Sequence, residues 1–85
     1  MTSQRAYKNT SLDLSAFLAA IGYSVTVTVH PGEHRATFEI EQTPNLFNDI
    51  AGYESGTTAP AKRLLNARSR LFREASEAVR AGGRR

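Results

Sequence analysis

From Tyr23 to Glu41 the chain alternates apolar and polar residues in two runs separated by Pro31-Gly32. Tyr23, Val25, Val27 and Val29 alternate with Ser24, Thr26, Thr28 and His30. After the turn, Ala36, Phe38 and Ile40 alternate with Arg35, Thr37, Glu39 and Glu41. A period of two with β-branched residues predicts two strands, each with one apolar face. A slip of one residue would turn that face over, so the pattern also predicts register. Val29 should oppose Ala36, Val27 should oppose Phe38 and Val25 should oppose Ile40. On the polar face His30 then pairs with Arg35, Thr28 with Thr37 and Thr26 with Glu39, around the four-residue loop Pro31-Gly32-Glu33-His34. A two-residue Pro-Gly loop is disfavoured, because L-proline cannot enter the primed turns that tight hairpins use.

A lone hairpin is marginal in water, so helices must cover it. Thr10 and Ser11 are good N-cap types, with Asp13 in the first turn as a capping-box-like acid. Leu12, Leu14, Ala16, Phe17, Leu18, Ala19, Ala20 and Ile21 make the helix that follows apolar almost all round, as a central core helix should be. Gly22 supplies its left-handed end. Thr43-Pro44 predicts a second helix start, with Leu46, Phe47, Ile50 and Tyr53 at helical spacing and Gly56 as the stop. Pro60 opens a third helix that runs to Arg80, ahead of Gly82-Gly83. At about 1.5 Å per residue it is roughly 30 Å long, more than the rest of the domain can cover.

The expected fold class is therefore α+β, in the order α-β-β-α-α: a two-stranded antiparallel hairpin with helices packed on one face. Residues 1–9 read as a flexible N-terminal arm, 10–81 as a single α+β domain and 82–85 as a basic tail. Phe17, Leu18, Val27, Phe38, Phe47, Ile50 and Leu64 form the expected core.

The 85 residues include no cysteine, which points to a reducing, cytoplasmic setting. The polar stretch from Met1 to Thr10 has no apolar segment of a signal peptide, and no apolar run reaches the roughly 18–20 residues of a membrane span. Asn9-Thr10-Ser11 matches a glycosylation acceptor by chance. Charge is lopsided. Residues 1–60 carry three Lys/Arg against six Asp/Glu, a net −3, and residues 61–85 carry eight against two, a net +6. An acidic body with a basic C-terminal segment suits an anionic partner such as nucleic acid.

The stretch Tyr7-Lys8-Asn9-Thr10-Ser11-Leu12-Asp13-Leu14-Ser15-Ala16-Phe17-Leu18, then Gly22-Tyr23, resembles the start of a family of short domains of unknown function from bacterial and phage-like genomes. The likeness runs through Thr37-Phe38-Glu39-Ile40-Glu41, Thr43-Pro44 and Tyr53-Glu54-Ser55-Gly56 to the proline-led helix with Leu65-Asn66-Ala67-Arg68 and Leu71, roughly residues 7–80. The family usually has an acid before the helix-opening proline; Ala59 stands there in this chain, which weakens that cap. The resemblance implies a phage or mobile-element origin and carries over no activity.

On the third helix Ala61, Leu64, Leu65, Leu71, Phe72, Ala75 and Val79 form an apolar arc, with Arg68 near its centre. An arginine there must pair with a carboxylate inside the chain, snorkel or face a partner. A second face carries Lys62, Asn66, Ser69, Arg73, Glu77 and Arg80. Lys62, Arg73 and Arg80, with Arg84 and Arg85, are the candidate phosphate contacts. Arg73-Glu77 and Arg70-Glu74 are i,i+4 pairs that would spend some of this charge internally. No aromatic residue is interleaved with the cations, which argues against stacking on single strands.

His30, His34 and Glu33 flank the turn and read as surface residues, with no metal site expected. Glycine-rich phosphate loops and supported Ser-His-Asp sets are missing, and Glu39 and Glu41 share a strand face open to solvent. The chain thus reads as a binding protein without cofactor or catalysis that contacts nucleic acid through its third helix. The alternative is a protein-interaction module that uses the apolar edge of that helix (Leu71, Phe72 and Val79) or the open hairpin edge, including self-association as a homodimer.

Overall fold

A computed structural model describes residues 6–30 and 32–82. The elements are β1 (Ala6–Asn9), α1 (Leu12–Ala20), β2 (Val25–Thr28), β3 (Thr37–Glu41), α2 (Leu46–Glu54) and α3 (Ala61–Gly82). The three strands form one antiparallel sheet in the order β1-β3-β2. The fold is α+β with three helices, and the sheet corrects the two-stranded expectation.

The register of β2 on β3 is the one the alternation dictates: Val25 faces Ile40, Thr26 faces Glu39, Val27 faces Phe38 and Thr28 faces Thr37. The ladder ends there. Val29, His30, Arg35 and Ala36 lie outside the strands, so the loop is longer than four residues. On the other edge β1 pairs Tyr7 with Ile40 and Asn9 with Phe38. Ala6–Asn9, expected within a flexible arm, is thus a strand that makes β3 central and leaves Phe38 and Ile40 buried.

Asn9 joins β1 to α1. Its Oδ1 accepts from the Ser11 backbone N–H at 2.8 Å and from the Ser15 hydroxyl at 3.2 Å. The Ser11 hydroxyl then accepts from the Leu14 N–H at 3.1 Å, which makes Ser11 the N-cap. At the other end Gly22 takes φ 117°. The Tyr23 N–H reaches the Leu18 carbonyl at 2.9 Å and the Gly22 N–H reaches that of Ala19 at 3.1 Å, the paired bonds of a Schellman ending. Between these caps α1 is buried from Leu14 to Leu18 and touches β2, β3, α2 and α3. It is the central helix that its composition requires.

Of the expected core, Phe17, Leu18, Phe38 and Ile50 are buried and Val27 and Leu64 are half-buried. Phe47 is a correction: it is 55% exposed. Helix α2 begins at Leu46, and Leu46 and Ile50 form its buried face. Phe47, about 100° further round, lies edge-on against Tyr7 with ring centroids 5.9 Å apart. Thr43 is not the cap of α2, since Asn45 holds that position. The Thr43 hydroxyl instead donates to the Tyr23 oxygen at 3.3 Å, and the Tyr23 hydroxyl donates to the Asp49 carboxylate at 2.5 Å.

Partial burial, and then the bond to Asp49, hold the Tyr23 phenol above its ordinary value of about 10. A raised folded-state value means that the protonated phenol favours folding. That stabilisation is fully present below pH ~10 and is lost as the pH rises through the folded value. Thermal melts of wild type and Tyr23→Phe should therefore converge above pH ~10 relative to their separation at pH 8. A separation that does not change with pH would count against this coupling.

Candidate functional site

Helix α3 starts with the Leu64 N–H bonded to the Pro60 carbonyl at 3.0 Å and runs unbroken for 22 residues, about 33 Å. It packs along α1 and touches β2. Leu71 is fully buried, while Leu64, Ala67 and Ala75 are half-buried around it. This row defines the inward side of the helix. Leu71 was expected at a protein interface; it is a core residue because it faces α1.

Leu65 and Phe72 belong to a different row. They are 64% and 60% exposed, and Val79, seven residues on, is half-buried. The sequence places Leu65 and Phe72 both in the apolar arc of the helix. The apolar arc therefore splits into a buried row and a neighbouring open one, and Arg68 stands at their boundary and not at the centre of a buried surface. Its Nε donates to Asp13 Oδ1 at 2.8 Å, with the two side chains 52% and 64% exposed. Arg68 is thus paired within the chain, between α3 and the first turn of α1. An ion pair this open contributes about 0–1 kcal/mol. Beside it Phe17, Tyr53, Leu64 and Thr57 line a small apolar slot of about 190 Å³.

The outward side is cationic. Lys62, Arg73 and Arg80 fall within about 20° of one line along the helix, and Arg63 and Arg70 form a second line about 60–100° away. All five are exposed. Arg70 Nε lies 3.8 Å from Glu74. The pair expected between Arg73 and Glu77 does not form. Among the described residues, Lys62, Arg63, Arg73 and Arg80 have no carboxylate within 4.0 Å. Arg84 and Arg85 lie outside the described residues. Arg63 and Arg70 were missed as site residues, although their spacing of seven was visible. Together with Asn66 they edge an open cleft of about 460 Å³ against Ala20, Ile21 and Gly22 at the end of α1.

The remaining candidates do not assemble. His30, Glu33 and His34 are exposed, and among the described residues no three metal-ligating side chains come together. Glu39 accepts from the Thr28 hydroxyl at 3.3 Å on the outer face of the sheet. The Asn9 side-chain nitrogen, where an N-linked glycan would attach, is buried. Among the described residues no helix is long and apolar enough to cross a membrane.

The chain matches no family model, no curated protein and no solved structure. Function must therefore be read from the surface itself.

Proposed function

We propose that the protein is a small non-catalytic binding protein whose α3 lays its outward face along the backbone of a nucleic acid. One observation carries this reading. Lys62, Arg63, Arg73 and Arg80 are exposed on one straight helix, and no carboxylate of the described residues neutralises them. Duplex DNA carries a negative charge about every 1.7 Å of its axis, both strands counted, so a cationic helix face is drawn to it whatever the sequence. With the helix laid along the backbone and not in a groove, contacts are mainly to phosphate and binding depends little on sequence. The acidic body, net −3 over residues 1–60, orients the helix towards the polyanion.

The test is fluorescence anisotropy with a labelled duplex at low salt, where phosphate contacts are strongest. Wild type should bind, and Arg73→Ala with Arg80→Ala should weaken binding to different duplex sequences equally. Both side chains are exposed, so the variant should fold as the parent does, which circular dichroism checks. Absence of binding by wild type at low salt would sink the proposal. The exposed Leu65 and Phe72 favour a second, protein-interaction reading.

A further inference from the structure

We propose that the cleft between α1 and α3 binds a nucleotide, holding its phosphate through Arg63 and Arg70. These two residues line the α3 wall with Asn66 and Ala67, and Ala20, Ile21 and Gly22 at the end of α1 line the other. At about 100° per residue, Arg63 and Arg70 leave the helix within about 20° of each other, with Asn66 on one flank and Ala67 on the other. Their Cα atoms are about 10.5 Å apart along the axis, and Asn66 stands between them. Two arginine side chains at that spacing can close on one anion from both ends, and the Asn66 amide supplies a further donor.

Charge selects the ligand. No acid lines the cleft. Arg63 has no carboxylate within 4.0 Å among the described residues, and the Arg70 Nε stands 3.8 Å from Glu74, beyond hydrogen-bond reach. The Arg70 and Glu74 side chains are 48% and 45% exposed, so their pair is weak and yields the guanidinium to a better acceptor. The end of α1 opposes an anion only slightly, because the Gly22 and Tyr23 N–H groups already occupy the Ala19 and Leu18 carbonyls. A carboxylate is satisfied by a single guanidinium fork. A phosphate monoester has three strong acceptor oxygens and a charge of about −1.5 to −2, which matches two guanidinia.

Volume sets the rest of the ligand. The cleft measures about 460 Å³, within the roughly 300–1,000 Å³ of small-molecule sites and far more than a phosphate group fills. The remaining space lies against Ala20, Gly22 and Ala67. Gly22 takes φ 117° to end α1, and it leaves that wall without a side chain. A wall this low makes close contact with a flat ring over the whole of one face, as the base of a nucleotide requires. Ile21, 37% exposed, adds apolar surface beside it. The site does not depend on the duplex reading, although Arg63 is common to both. The phosphate can belong to a free nucleotide or to the end of a strand.

The probe is AMP, added at millimolar concentrations to isotope-labelled protein followed by NMR. It should shift the amides of Ile21, Gly22 and Ala67 saturably. Adenosine, which lacks the phosphate, should leave them unmoved, and inorganic phosphate, which lacks the base, should bind more weakly. Arg63→Ala with Arg70→Ala should weaken AMP binding at least about tenfold, as loss of a charge-assisted contact does. Both side chains are exposed, so the fold should survive, which circular dichroism checks. Arg73→Ala with Arg80→Ala, aimed at the duplex, should leave AMP binding intact, so failure of one reading is told apart from failure of the other. No saturable shift of wild type by AMP, or equal losses from the two double variants, overturns the inference. A strand with a terminal phosphate that displaces AMP better than the same strand without one assigns the site to strand ends. Equal displacement by the two assigns it to the free nucleotide.

Discussion

Phe38→Ala is expected to cost about 3–5 kcal/mol and to leave the domain largely unfolded at room temperature or close to it. Phe38 is 3% exposed in the central strand, between Asn9 of β1 and Val27 of β2. Its ring therefore supports both edges of the sheet and the contact with α1. Truncation leaves a cavity that a three-stranded sheet can fill only by moving strands. Small domains have stabilities of roughly 5–15 kcal/mol, and 85 residues place this one towards the low end. Each lost kcal/mol lowers Tm by about 4–8 °C at this size, so a fall of at least 12 °C should be seen by circular dichroism. Phe47→Ala is the matched control. Phe47 is 55% exposed and touches Tyr7 only edge-on, so its loss should cost about 1 kcal/mol or less. Equal losses from the two substitutions would show that the inward face has been misassigned.

That contrast marks where the sequence stops being readable. The alternation of Val25, Val27, Phe38 and Ile40 leaves a single register that keeps apolar residues together, and the sheet adopts it. Helix α1 is legible because Ser11 and Gly22 bracket a run too apolar to lie anywhere but the centre. Phe47 failed because Leu46 and Phe47 are both at helical spacing from Ile50. Periodicity cannot choose between i−4 and i−3, and the choice depends on where α2 starts. Strand β1 has only four residues, Ala-Tyr-Lys-Asn, and owes its form to the open edge of β3 some thirty residues away. Arg68 seemed central to a buried arc because Leu65 and Phe72 widened that arc. One neighbouring helix can cover Leu64, Ala67 and Leu71 but not the next row as well. Its partner, Asp13, lies 55 residues earlier, beyond any local pattern. Of the outward cations, Lys62, Arg73 and Arg80 were legible because a solvent-facing stripe depends only on helix geometry, while Arg63 and Arg70, on a second line, were not picked out.

The largest functional effect expected is that of salt. If Lys62, Arg63, Arg73 and Arg80 each neutralise one phosphate, log affinity should fall against log salt with a slope of about −3.6 per bound protomer. Raising salt fourfold then weakens binding about 150-fold. Arg70 is left out of this count because Glu74 already stands beside it. Removing Arg73 and Arg80 together should halve the slope to about −1.8, so the same change of salt costs only about 12-fold. The halving is more informative than the loss of affinity. A damaged fold or a lost apolar contact would lower affinity at every salt concentration and leave the slope alone, whereas a lost phosphate contact must change the slope. Titrations of wild type and the double variant on one duplex over a range of salt separate the two cases. Parallel lines would show that Arg73 and Arg80 do not touch phosphate. Lines that converge at high salt would place both side chains on the backbone.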